Sequence, residues 1–496
     1  MAWQPLEKGE NNYDVVIVGA GISGINFAYR IQERCPNLSY TILEGRHEMG
    51  GTWSLFKYPG IRSDSDLFTF GFPWRPWKEN TAIAQGDLIK QYVKDSAAAY
   101  GIDKRIQYQT LVSGAQYDSA NKTWTLAATT KGTEKRTIKC RFMLICTGYY
   151  DYETPLQTEI PGINDFKGEV IHPQFWPEKL DYTNKEVVII GSGATAITVL
   201  PVMSETAKRV TMLQRSPSYV MAIPQEDALE KFIRRWFNWF PAFQHAAIRI
   251  KWILAPLLLT TLSAKFPERV KATMHKLTQQ QLPSSIPRDP HFTPRYYPWE
   301  QRMCMCPDGD FFKSLRSGKA NIATGTIQNI SGKTIKLNDG QEINTDIIVT
   351  ATGLKLRFAG GMDLKVDGKP YNVSEHFVWK GQMLQDLPNA AFVVGYVDAS
   401  WTLGADATAQ LITRMFNQMK KEDVVEVIPQ LSAQEKKTMK ESSLLRLNST
   451  YVTKGKKTLP MAGDQGQWVP RSNYIRDIFM AWYGDIKSGT VWVRGV

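Results

Sequence analysis

Apolar positions along the chain fall into short β-branched runs, each followed by a glycine loop and a helical pattern, and this order occurs twice. Asp14–Val18 (DVVIV) reads as a buried strand, Gly19–Gly24 (GAGISG) as a tight loop, and the residues to about Cys35 as a helix. Tyr40–Leu43 (YTIL) is the next strand and runs into Glu44. The second occurrence comprises Glu186–Ile190 (EVVII), Gly191–Ala196 (GSGATA), a helix over Ile197–Met203 and a strand over Val210–Leu213. There the position of the acid is held by Gln214 and Arg215.

The sequence between and after these units is less regular. A loop rich in Gly, Pro, Trp and Arg follows Glu44, too long and too aromatic to be a mere connector. Asp87–Tyr100 predicts a helix, strands near Ile106–Val112 and Trp124–Ala127 a hairpin around Asn121, and Phe142–Cys146 a buried strand leaving through Thr147-Gly148. In 219–300 the pattern is helical, with Phe232, Trp236, Trp239, Phe240 and Phe243 on one face until Pro241 breaks it. Strands resume at Lys319, and Asp346–Thr350 leaves through Ala351-Thr352-Gly353, an echo of Thr147-Gly148. Ala390–Val394 reads as a core strand returning to the first domain, with helices at 403–421 and 433–445 behind it. Residues 1–12 read as a loose tail.

The fold class is therefore α/β, two Rossmann-like dinucleotide-binding domains with a helical insertion in the second. The expected division is 1–155 and 385–496 for the first domain, 156–218 and 312–384 for the second, and 219–311 for the insertion. A chain of 496 residues suits several domains of about 150 residues each.

Charge changes the picture in one place. The net charge is +12, and between Lys231 and Gln280 nine Lys/Arg stand against the single acid Glu268. The remainder is nearly balanced, which speaks against a nucleic-acid-binding surface. Two readings of 231–280 stand side by side: a lid whose apolar face covers a substrate cavity, and a basic aromatic helix lying on an anionic membrane. The longest apolar run, Trp252–Leu259, has eight residues and is broken by Pro256, far short of a membrane span. The polar start and five scattered cysteines without a C-x-x-C pair lead to a cytoplasmic expectation with free thiols and no metal.

The chemistry of the two loops follows from their residues. Gly19 makes the turn, Gly21 lets backbone approach a pyrophosphate, and Gly24 lets helix pack on strand, with the helix N-terminus facing the phosphates. Glu44 suits an unphosphorylated ribose, whereas Arg215 suits a 2′-phosphate that a carboxylate would repel. The first site is thus expected to take FAD and the second NADPH.

Between the loops stands FKGEVIHPQFWP, in which Phe166, Gly168, His172, Trp176 and Pro177 form F-x-G-x-x-x-H-x-x-x-W-P. The order of first loop, this segment and second loop resembles the signature of the Baeyer–Villiger monooxygenases, class B flavoprotein monooxygenases. The Gly50–Asp66 loop, Tyr297–Arg302 and SWTL at Ser400–Leu403 are similar to the mycobacterial ethionamide-activating FAD-containing subgroup. The resemblance spans nearly the whole chain, and Trp176-Pro177 separates it from the sister flavin-containing monooxygenases.

That resemblance implies FAD contacts at Gly19, Gly21, Ser23, Gly24, Glu44, Thr52, Trp53, Ser54, Leu55, Asp64 and the Val112 backbone. It implies NADP contacts at Arg62, Ser63, Asp64, at Gly191, Ser192, Gly193, Ala194, Thr195, Ala196 and Ile197, and at Arg215 and Ser216. It assigns catalysis to Arg302 with Asp64 as its carboxylate neighbour. A lysine that many relatives carry before the arginine is Gln301 here, which shifts NADPH preference onto Arg215. The implied activity is conversion of ketones to esters or lactones with NADPH and O2, through a peroxyflavin that Arg302 stabilises, together with sulfide oxidation. A permanently charged planar cation suits that task. Oxygenation mainly of S or N heteroatoms is the alternative. A non-oxygenating reductase is disfavoured because no cysteine pair follows the first loop, and an adaptor without turnover is the rival outside enzymes. His172 has two readings, acid–base catalyst or interdomain hinge, of which the hinge is preferred.

Overall fold

The computed structural model describes residues 11–301, 303–445, 455 and 458–495; the expected loose tail lies outside them up to residue 10. Two sheets organise the chain. In the first, Asn12–Val18 lies between Tyr40–Leu43 and Glu134–Ile145, both parallel to it. The sheet continues antiparallel through Thr123–Thr130 and Thr110–Asp118. Ile106–Gln107 joins the other edge beside Tyr40–Leu43, so the expected 106–112 strand is split between both sides of the sheet. The split falls at Gln109, whose φ of 51° turns the chain.

The second sheet is wholly parallel, ordered Ala320–Thr324, Arg209–Gln214, Glu186–Ile190, Ile347–Thr350 and Glu169–Ile171. Parallel strands buried on both faces need continuous apolar runs, and EVVII and IIVT supply them. The Phe166–Pro177 segment enters here: its Glu169–Ile171 strand forms the sheet edge, ahead of a helical turn at Pro173–Phe175.

The two Thr-Gly exits have a common structural reason. A Cβ on Gly19 would lie 2.5 Å from the Cys146 carbonyl oxygen, and one on Gly191 would lie 2.2 Å from that of Ala351. Each glycine loop thus packs on the backbone just ahead of Thr147-Gly148 or Thr352-Gly353.

The chain returns to the first sheet sooner than position 385. Asp363–Val366 pairs in parallel with Thr110–Asp118, and Ala390–Phe392 later pairs with Glu134–Ile145. The four-residue DLKV, flanked on its outer side by Lys369–Pro370, has an alternating pattern too short to announce itself. The Trp401–Lys421 helix then packs along Ile22–Arg34, joined by the buried pair of Arg30 and Asp406 at 2.8 and 3.1 Å. The helix expected at 433–445 covers only Ala433–Thr438 and gives way to a short strand, Glu441–Ser442.

The insertion holds three helices, Ala228–Trp236, Pro241–Lys265 and Pro267–Gln281, above a two-stranded neck in which Val220–Ile223 pairs with Cys304–Pro307. The aromatic face starting at Phe232 is interrupted after Trp236, and Pro241 opens the next helix at a position where its missing N–H costs nothing. That helix passes through Pro256. By length and composition it could cross a membrane, with a mean hydropathy of 1.4 over eighteen residues. Ala246, Ala247, Ile248, Ile250 and Leu262, scattered outside the longest apolar run, sustain the mean, which is why that run understates it.

Candidate active site

A cavity of about 630 Å³ runs between the two sheets and touches both glycine loops. From the first nucleotide unit it is lined by Gly19, Gly21, Ser23 and Glu44, and from the following loop by Thr52, Trp53, Leu55, Arg62 and Asp64. Val112 lies on its wall, and Ala194 and Thr195 close it from the second unit.

Local bonds fix these residues. One oxygen of Glu44 accepts from the Ala20 N–H at 2.7 Å and the other from the Arg46 N–H at 2.9 Å. Burial raises the Glu44 pKa, and the two N–H donors oppose that shift. Ser23, in the first turn of its helix, accepts from the Trp401 indole N–H at 3.0 Å, and Trp401 stacks on Tyr149. Residues far apart in sequence therefore brace the first loop.

Other expected contacts lie off the cavity. Gly24 packs its helix against the Gly19 carbonyl, and the Ser54 hydroxyl donates to the Gly51 carbonyl at 3.2 Å. Ser63 is buried, exchanging bonds with the Ala84 backbone. Arg62, by contrast, lines the cavity and forms a two-pronged ion pair with Asp310 at the start of the Asp310–Arg316 helix. Gly191, Ser192, Gly193, Ala196 and Ile197 form the second loop and its helix start without lining the cavity. The Ser192 hydroxyl donates to the Ser216 carbonyl at 3.0 Å, and Arg215 and Ser216 are exposed at the end of their strand. The second loop and the Arg215-Ser216 corner are therefore adjacent.

Asp64 lies on the boundary with a second, apolar cavity of about 200 Å³. Trp252, Pro256 and Leu259 of the Pro241–Lys265 helix line it, with Trp299, Met303 and Leu403. The helix is thus a roof, as the lid reading expects. Arg249 and Lys251 hold it down: Arg249 donates to the Phe68 and Gly71 carbonyls at 2.7 and 3.0 Å, and Lys251 pairs with Asp227 and Glu230. Arg302 lies outside the described residues.

In the motif segment, Gly168 is tightly enclosed and Phe166 is buried among the second sheet's side chains. His172 lines the large cavity, and its Nδ1 accepts from the Gln174 N–H at 3.2 Å. Burial lowers its pKa, the Gly353 backbone opposing. The Gln174 side chain donates to the Asp151 carbonyl at 2.7 Å, which ties the segment to the chain leaving the first sheet. Trp176 packs against the core on one face of the second sheet.

Arg46, Tyr149, Tyr152 and Trp401 line the cavity without having been singled out as contacts. Only Trp401 had a signal, the SWTL segment; the others are placed by tertiary packing that no local pattern announces.

The profile of the flavin-binding monooxygenase-like family matches residues 12–231. The FAD-containing monooxygenase EthA of Mycobacterium tuberculosis (strain ATCC 25618 / H37Rv) is 42% identical over 476 residues, 96% of each chain. The probable FAD-binding monooxygenase AlmA of Acinetobacter baylyi (strain ATCC 33305 / BD413 / ADP1) is 40% identical over 469 residues, 94% of this chain and 93% of that one. Among solved structures, cyclohexanone monooxygenase from Rhodococcus sp. Phi1 bound to NADP+ is similar with a TM-score of 0.74 at 16% identity, covering 98% of this chain and 100% of that one. At that identity the likeness establishes a shared fold.

Proposed function

The chain belongs to the flavin-binding monooxygenase-like family, and on that premise we propose that it is an FAD-containing, NADPH- and O2-dependent monooxygenase that converts ketones to esters or lactones, with sulfides oxidised as a side reaction. One observation carries the reading. A single cavity touches both glycine loops and adjoins, at Asp64, an apolar cavity sized for a small lipophilic molecule.

The residues present fit FAD. Arg46 Nη1 is buried without a hydrogen-bond partner among the described residues, a donor left over beside Glu44. A Cβ on Gly51 would come within 3.1 Å of the Gly21 Cα, so bare backbone from two loops borders the cavity. Bound FAD, NADPH and O2 supply the electrons and the transferred oxygen. The chain binds and orients. N–H groups at the starts of the Ile22–Arg34 and Ala194–Thr206 helices face the diphosphates, and Arg215 with Ser216 takes the 2′-phosphate. We assign Arg302 the part of the permanent cation that stabilises developing negative charge, and Asp64 that of its carboxylate partner. His172, whose pKa burial lowers, acts as the hinge between the two nucleotide parts. The roof helix keeps water from the apolar cavity. A peripheral membrane contact of residues 231–280 belongs to the same proposal, with the protein otherwise in the cytoplasm.

Incubating the holoenzyme with NADPH and a ketone beside a thioether tests the reading. Ester or lactone is the expected main product; sulfoxide alone would move the chain to the heteroatom-oxygenating alternative, and no substrate-dependent NADPH consumption would remove the oxygenase reading.

A further inference from the structure

The roof helix has two dissimilar faces. Its inner face supplies Trp252, Pro256 and Leu259 to the apolar cavity. Its outer face carries Ile250, Leu254, Leu258 and Leu262 in one row, four residues apart, all exposed and Leu258 at 61%. The preceding turn adds Trp236, Trp239 and Phe240, with Trp239 exposed at 76%. Such large apolar side chains together on one insertion mark an interaction surface.

Charge says what covers it. Lys231, Arg235, Lys265, Arg269 and Lys276 are exposed on the same three helices, against the exposed acids Glu226 and Glu268 at their margins. An anionic bilayer surface matches that composition, whereas a second copy would bring the same cations against these. The helix has the length to cross a membrane, but Arg249 and Lys251 are bound to the Phe68 and Gly71 carbonyls and to Asp227 and Glu230. Crossing would tear those bonds. The helix lies in the plane of the interface instead.

The geometry points to the insertion as an in-plane membrane anchor whose roof helix stands between the acyl region and the apolar cavity, so that substrate enters from the bilayer. The substrate class is then a ketone or thioether lipophilic enough to partition into lipid. The entry route deepens the monooxygenase reading and rests on it; the docking does not.

The test uses the FAD-loaded full chain and vesicles of phosphatidylcholine with or without phosphatidylglycerol. Binding is expected to the anionic vesicles alone and to weaken with added salt. A triple variant, Trp239→Ser, Phe240→Ser and Leu258→Gln, is expected to bind at least about tenfold more weakly, in line with the lost apolar burial. It should turn over butanone in solution like wild type yet lose most activity on a long-chain methyl ketone dissolved in the vesicles. Should the variant fold poorly, quenching of wild-type tryptophan fluorescence by brominated lipid reports the same contact. No binding to anionic vesicles, or dimers formed through this face without it, would overturn the anchor. Equal long-chain turnover by variant and wild type would overturn the entry route. Vesicle binding without turnover of either ketone would uphold the anchor and remove the ketone-oxidising reading.

Discussion

Gly168 shows at one residue what the motif requires. A Cβ there would sit 2.1 Å from the Asp346 carbonyl oxygen and 2.7 Å from the Phe166 ring, inside the edge of the second sheet. Gly168→Ala should lower unfolding free energy by about 1–3 kcal/mol, the usual range for overpacking; urea titration with an unchanged midpoint would show that the edge gives way freely. Arg215 is exposed beside the second loop, where a charge-assisted bond to a phosphate is worth about 1.5–3 kcal/mol. Arg215→Ala should therefore raise the KM for NADPH about 10- to 100-fold and leave that for NADH nearly unchanged. Steady-state kinetics with both cofactors checks it. Arg302→Ala should keep FAD reduction by NADPH and lose ester formation; stopped-flow reduction with product analysis separates the two, and near wild-type ester yield would remove the assigned role. Residues such as Gly19, Ser23 and Glu44 were legible because one local unit, strand, loop and helix, sets their positions. Arg46 and Tyr149 were not, since tertiary packing alone brings them to the cavity.

Among the elements, the short helix Leu67–Phe70 ties the roof to the first domain. Asp66 caps it, accepting from the Thr69 N–H at 2.7 Å, and burial pushes its carboxyl up to about 6 despite Thr69 and the nearby Arg249. The folded value lies above the unfolded one, so the stability this group contributes is full below about pH 4 and is lost as pH rises through about 6. Asp66→Asn keeps the cap and removes the titration. Wild-type stability relative to the variant should thus fall by up to about 3 kcal/mol between pH 4 and 6 and stay level above. Urea unfolding of both proteins across that range measures the difference; a constant gap would rule out the buried carboxyl as its source. The helices and core strands of both nucleotide units matched their apolar runs because local periodicity and burial agree there. The pairing in the insertion's neck was not legible: Val220–Ile223 and Cys304–Pro307 meet across eighty residues of chain, and the four residues of Val220–Ile223 are not distinctive alone.

On the scale of the whole molecule, the first sheet is assembled from both ends of the sequence. Thr110–Asp118 needs Asp363–Val366 as a neighbour and Glu134–Ile145 needs Ala390–Phe392, and the Ile22–Arg34 helix needs Trp401–Lys421 to bury Arg30. This has a consequence for synthesis. When the ribosome has finished the second glycine loop, the first nucleotide unit still lacks its outer strands, its covering helix and the Trp401 brace on Ser23. It must wait, with apolar strand faces uncovered, through some two hundred further residues, the whole insertion among them. A nascent chain in that state is exposed to aggregation, and a fragment ending at 218 should accumulate in inclusion bodies and retain no yellow colour on purification. Flavin loading then has to wait until the last turn of the Trp401–Lys421 helix has left the exit tunnel.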